Sequence, residues 1–190
     1  MITTAAATVA DPQLIALARE SREEALEVMY NAYKTRIYTF LLRLSGDPET
    51  SDDLTQDVFT KAYQALATLT KEHKVLPWLY RIAQNTAIDH FRRRKRFAWL
   101  QVTKLTGTTE EPVSPDDHGA VPEQDHIRGV LSTLPPEQAA ALLLHALEGY
   151  SYREIADIQG ASLPAVRSRI ARARVAFKAA YATKERGEPS

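Results

Sequence analysis

No cysteine occurs in the 190 residues, which excludes disulfide frameworks, thiolate metal sites and cysteine nucleophiles together. Histidine is nearly as scarce. His73, His90, His118, His126 and His145 fall at no recurrent ligand spacing, so scattered surface or cap histidines are expected and a bound metal is not. No apolar run approaches the roughly 18 residues that a membrane-spanning helix needs, and Met1 to Ala10 lacks the basic start and apolar core of a signal peptide. No membrane insertion and a cytoplasmic location are the resulting expectations. An excess of charge of one sign is missing too, since Lys plus Arg and Asp plus Glu balance at 24 each. The sum argues against a nucleic-acid partner, but the distribution matters more. Glu110, Glu111, Asp116, Asp117, Glu123 and Asp125 fall in a stretch without Lys or Arg, whereas Arg92, Arg93, Arg94, Lys95 and Arg96 are contiguous.

What is present is helical periodicity at both ends of the chain. From Asp11, apolar residues recur at Leu14, Leu17 and Ala18, then from Ala25 through Met29, Tyr33, Ile37 and Phe40 to Leu44, which predicts one short and one long helix. Ser45, Gly46, Asp47 and Pro48 stop the second. Ser51 is expected to cap a third helix, with Leu54, Val58, Phe59, Ala62, Tyr63 and Leu66 on its apolar face and Gln56, Asp57, Thr60, Lys61 and Gln64 outward. After a polar loop, Thr68 to Lys74, Pro77 should open a fourth helix. Between Thr103 and Asp125 the periodicity fails among Gly107, Pro112, Pro115, Gly119 and Pro122, as expected of a tether. It resumes with Ile127, Val130, Leu131 and Leu134, and again after Pro135 and Pro136 until Gly149. The expected fold is all-α: two small helical domains, residues 11–100 and 126–184, joined by an acidic flexible linker over 101–125.

The C-terminal part carries the clearest motif. Ser151 stands three residues before Glu154, a capping-box spacing; Gly160 breaks the short helix and Ser162 caps the next, whose buried stripe is Val166, Ile170, Ala173 and Phe177. Helix, glycine turn, helix is the helix-turn-helix arrangement, with the early residues of the second helix on base edges in the major groove. At about 100° per residue the opposite face presents Ala165, Ser168, Arg172 and, toward one side, Arg167, while Arg169 and Arg174 flank the stripe at positions suited to phosphates. In the N-terminal part, the helix after Pro77 combines Trp78, Tyr80 and Phe91 with Gln84, Asn85 and Asp89 and ends in the basic run. A lone basic run is often only a solvated surface. Beside polar and aromatic groups that can pair with or stack on unpaired bases, and with a second basic helix on the same chain, it reads as a nucleic-acid contact.

In order, these segments resemble the bacterial extracytoplasmic-function sigma factors, and the resemblance covers nearly the whole chain. Asp53-Leu54-Thr55-Gln56-Asp57-Val58-Phe59, with Ala62 and Tyr63, is similar to the family's segment that docks on the clamp helices of the large RNA polymerase subunit. That implies Asp53, Gln56, Asp57, Thr60 and Lys61 as contacts to core RNA polymerase. Trp78-Leu79-Tyr80-Arg81-Ile82-Ala83-Gln84-Asn85, Ala87-Ile88-Asp89-His90 and the basic run resemble the segment that recognises the promoter −10 element. With the preceding loop, 69–74, this implies Lys71, Lys74, Tyr80, Gln84, Asn85, Asp89, Arg92, Arg93 and Arg94 as contacts that capture an unstacked base and help open the duplex. Leu134-Pro135, the stretch from Glu148 to Ala156, Val166-Arg167-Ser168-Arg169 and Ala173-Arg174 resemble the −35-binding domain, implying Ser162, Ala165, Arg167, Ser168, Arg169 and Arg172 as promoter DNA contacts. The resemblance also implies an anti-sigma factor as partner, and no cofactor.

Departures from the family's pattern lie around the turn. Leu163, Pro164 and Ala165 replace small polar residues, which shifts base reading toward Arg167, Ser168 and Arg172. Gln159 and Ala161 stand where larger aliphatics are common, so the turn is expected to lose about 1 kcal/mol of packing. A helix-turn-helix regulator that works without polymerase would use Gly149 to Phe177 and leave the segments around Asp53 and Asn85 unused. An enzyme is not expected. Asp89 and His90 set an acid beside an imidazole within the fourth helix, yet helix neighbours point about 100° apart, and no activated serine, metal cluster or phosphate-binding glycine loop accompanies them.

Overall fold

The computed structural model describes residues 11–70, 74–105, 127, 129–131 and 133–185, and all the regular elements among them are helical. Helix α1 (Asp11–Glu20) and helix α2 (Arg22–Ser45) are separated at Ser21, whose side chain accepts from the Glu24 amide and caps α2. Gly46 ends α2 with φ +74°, a left-handed conformation that a side chain would strain, and its amide donates back to Leu42 O at 2.9 Å.

Helix α3 (Pro48–Ala65) is capped by Asp47, not by Ser51: Asp47 Oδ2 accepts from the Thr50 amide at 2.7 Å. Asp47 takes the role because Pro48 fits the first helical position, where no amide donor is needed. Ser51 instead lies one turn inside the helix, fully buried, with its Oγ on Asp47 O at 2.6 Å and 2.7 Å from Ser45 Oγ. A 3-10 turn (Leu66–Thr68) follows, then the long helix α4 (Val75–Leu105). Helix α4 starts two residues before Pro77, because Val75 and Leu79 anchor the first turn in the core and the Trp78 amide reaches Lys74 O. It runs to Leu105, into the stretch expected as linker; the rest of that stretch, 106–125, lies outside the described residues.

The C-terminal unit includes helical residues 127 and 129–131 and continues through α5 (Pro136–Ala146), α6 (Tyr152–Gln159) and α7 (Leu163–Glu185). The chain turns between α5 and α6 at Gly149, φ +76°. Both halves of the capping box form: Glu154 N donates to Ser151 Oγ at 3.3 Å and Ser151 N to Glu154 Oε2 at 2.9 Å. Ser162 caps α7, accepting from the Ala165 amide, and Val166, Ile170 and Ala173 form the buried stripe. The fold is therefore all-α with two helical units: α2, α3 and α4 packed together with α1 against α2 and the 3-10 turn, and α5, α6 and α7 as the helix-turn-helix unit. In the structure the second unit rests on α4 and α2, and the buried residues of both form one continuous core.

The capping box supplies a pH-dependent element. Hydrogen bonds from the Ser151 backbone and then its hydroxyl hold the Glu154 carboxyl below its ordinary 4.5. A carboxyl depressed in the folded state stabilises fully above its unfolded pKa, and that contribution is lost as pH falls through the folded value. Ser151→Ala is expected to cost about 1 kcal/mol. It should also flatten the dependence of the thermal midpoint on pH below 4.5. An unchanged midpoint at neutral pH would show that the cap contributes nothing to global stability.

Candidate nucleic-acid interface

The outer face of α3 presents Asp53, Gln56, Asp57 and Thr60 to solvent, because Leu54, Val58 and Ala62 occupy the opposite side. Lys61 is half-buried at its edge, where its Nζ donates to Thr86 Oγ1 of α4 at 3.0 Å. Between the two helices lies a cleft of about 240 Å³ lined by Asp57, Lys61, Thr86, His90, Arg93 and Arg94. Burial, then Arg94 and Arg93, hold the His90 imidazole below its ordinary 6.5. With the imidazole neutral, three cations face one carboxylate, and the cleft favours an anionic ligand.

On α4, Asn85, Asp89, Arg92, Arg93 and Arg94 are exposed, but Tyr80 and Gln84 are not, at 0% and 2%. Tyr80 is held edge-on between Phe40 of α2, centroids 5.0 Å apart, and Tyr150 of the C-terminal unit, 5.8 Å. Burial first, and then the nearby Glu148 carboxylate, push its phenol well above the ordinary range; burial pushes Tyr150 up to about 12. Gln84 Nε2 donates to Ile158 O, at the end of α6, at 3.0 Å. Since a carbonyl only accepts, the amide nitrogen must face it, which leaves Gln84 Oε1 buried without a partner. An unpaired buried oxygen of this kind costs about 1–3 kcal/mol relative to hydration. Lys74 lies 3.9 Å from Glu154, and Lys71 lies outside the described residues.

Along α7, Ser162, Arg167, Ser168 and Arg172 are exposed and Ala165 is half-buried. Arg172 Nε lies on the Ser168 carbonyl of its own helix at 3.3 Å. Arg169 points elsewhere: its Nη1 donates to Gln159 Oε1 at 2.8 Å, while Gln159 Nε2 donates to Glu137 O at 3.1 Å. The Gln159 amide thus joins α5, α6 and α7 by hydrogen bonds at the position where a loss of packing was expected. Gln159, Glu137 and Arg169 also close a cleft of about 340 Å³ whose other wall is Gln84, Asn85, Ile88, Asp89 and Arg92 of α4. Glu137, on this wall, and Arg36 of α2, whose Nη2 donates to Glu148 Oε2 at 3.1 Å, carry no local sequence signal. Only the departure at Gln159 hinted at this wall.

The Sigma-70 region 2 family model matches residues 29–97, and that of Sigma-70, region 4 matches residues 125–177. RNA polymerase sigma factor YlaC of Bacillus subtilis (strain 168) is 32% identical over 157 residues, covering 82% of this chain and 91% of that protein. The chain belongs to the ECF sigma factor family. ECF RNA polymerase sigma factor SigM of the same organism is 30% identical, over 82% of this sigma factor and 94% of the relative. Among solved structures, the sigma factor RpoE in complex with the anti-sigma factor NepR from Bartonella quintana matches with TM-score 0.62 and 25% identity, over 84% of this chain and 97% of that one. CnrH in complex with the cytosolic domain of CnrY matches with TM-score 0.65 and 25% identity, over 90% and 96%. Membership makes this protein a specificity subunit that directs RNA polymerase to promoters. Among the described residues, no helix of this sigma factor is long and apolar enough to cross a membrane.

Proposed function

We propose that this sigma factor docks on core RNA polymerase through the outer face of α3, with Asp53, Gln56, Asp57 and Thr60 exposed for that contact and Lys61 at its edge. Helix α4 then takes the −10 element as a single strand, and α7 takes the −35 element as duplex. The observation that carries this reading is the exposure of two separate basic helices on one chain: Arg92, Arg93 and Arg94 on α4, and Arg167, Arg172 and Arg174 on α7. Promoter opening follows from differential binding. Groups that hold unstacked bases favour the melted state, while phosphate contacts hold both states. Asn85 and Asp89 are exposed for base contact; Lys74 and the three arginines serve phosphates. Tyr80 and Gln84 join them once the C-terminal unit moves off α4. Two solved relatives bound to an anti-sigma factor or to a cytosolic partner domain support a protein inhibitor as a further partner. A polymerase-independent regulator would use α6 and α7 alone and leave the region 2 match without a role.

Run-off transcription with core polymerase on a randomised promoter library tests the reading as a whole. Asn85→Ala tests its −10 half: the substitution should impair promoter opening more than it weakens closed-complex binding. Losing one of the α4 arginines should instead reduce the salt slope of binding by about 0.7 to 0.9. Equal effects of Asn85→Ala in transcription from duplex and premelted promoters would remove the base-reading role.

A further inference from the structure

Of the four arginines on α7, Arg167, Arg172 and Arg174 are exposed, whereas Arg169 is half-buried. An amide holds it there. Gln159, the last residue of α6, accepts from Arg169 Nη1 through its Oε1 at 2.8 Å and donates through its Nε2 to Glu137 O at 3.1 Å. Both ends of that amide are engaged, and the second bond ties it to the first turn of α5, so it cannot follow the guanidinium outward. A leucine or methionine at position 159 would offer Arg169 no acceptor at all. At about 100° per residue, Arg169 and Arg172 stand about 60° apart around α7 and one turn apart along it. The long stem of Arg169 therefore reaches either the α5–α6 side or the exposed face that Ser168 and Arg172 share. In this chain Gln159 decides between the two.

We propose that Gln159 is a positioning residue that withdraws Arg169 from duplex DNA, so that this sigma factor holds the −35 backbone with one phosphate contact fewer than its arginines allow. This rests on the assignment of α7 to the −35 duplex. Turning Arg169 onto a phosphate would break its bond to Gln159, and a hydrogen bond from a charged donor is among the stronger kind. A phosphate contact adds affinity for every sequence and information about none. Withholding one lowers affinity for non-promoter DNA and leaves a larger share of −35 binding to the positions that read bases. Gln159 thus sharpens promoter selection without touching DNA. It does so at a position where the sequence departs from the usual aliphatic residue, which has no means of holding an arginine back.

The salt dependence of duplex binding tests this, because its slope counts phosphate contacts and a loss of packing does not move it. The full chain is titrated against a short DNA duplex of random sequence over a range of salt concentrations. Gln159→Leu should steepen the slope by about 0.9, so that a roughly fourfold rise in salt costs about 3.5-fold more affinity than in the unaltered chain. Gln159→Met, closer to glutamine in shape, should do the same and guards against a change in packing at the turn. Arg169→Ala should leave the slope of the unaltered chain as it is, yet cancel the gain in the Gln159→Leu background. A slope that neither Gln159→Leu nor Gln159→Met steepens overturns the withdrawal. So does a slope that Arg169→Ala lowers in the unaltered chain, since Arg169 would then already sit on a phosphate. Failure of the −35 assignment is read separately. Arg172→Ala should lower the slope by about 0.9; if it changes neither slope nor affinity, α7 does not hold the duplex, and the proposal falls with that assignment.

Discussion

Phe40→Ala is expected to lower the stability of this sigma factor by about 3–5 kcal/mol, the range for removing a buried phenylalanine from a core. Phe40 is 1% exposed and lies in the C-terminal half of α2, where it meets Tyr80 of α4 edge to face at an interplanar angle of 63°. Truncation removes a ring's worth of apolar burial and the aromatic pair, and leaves a gap bordered by two helices fixed by their other contacts. Tyr80 also carries Tyr150 on its other side, so the loss extends beyond the N-terminal unit. Chemical denaturation followed by helical circular dichroism measures the effect, and Phe40→Leu should recover most of it. A loss under about 1 kcal/mol would mean that α2 and α4 close around the gap, which the spread of such substitutions at other sites permits only where a core can collapse.

The second large effect concerns specificity. Arg167 is exposed near the start of α7, where a helix entering the major groove meets base edges. If it contacts guanine with two hydrogen bonds, Arg167→Ala should cost about 1–3 kcal/mol at one −35 base pair and relax preference there, leaving the other positions as they were. Arg172→Ala should behave differently. Its guanidinium lies along the helix surface against Ser168 O, further from the entering end, and its loss should weaken all −35 sequences nearly equally, as for a phosphate contact that positions without specifying. Affinities for a set of single-base −35 variants separate the two. A uniformly weaker Arg167→Ala profile would move that arginine to the backbone and leave base reading to Ser168 or to DNA shape.

Much of this protein was legible along the chain because its signals act within a turn or two. The stripe of Val166, Ile170 and Ala173, the Ser151–Glu154 box and the glycines at 46, 149 and 160 each work through neighbours three or four residues away. Those short-range rules were enough for the number and order of the main helices, the helix-turn-helix unit and the two basic faces. They failed first at Ser51, because Asp47, read only as part of the stop after α2, stands directly before Pro48 and takes the cap. They could not anticipate that Tyr80 and Gln84 are covered, that Arg169 turns to Gln159, or that Lys61 reaches across to Thr86. The reason is separation. The contact between Gln84 and Ile158 spans 74 residues and that between Arg36 and Glu148 spans 112. An ion pair over such a distance imposes no spacing on the chain. Local sequence therefore determined which helices form and which side of each is polar, while only the packing of one helical unit on the other decided which of those polar sides is open to a ligand.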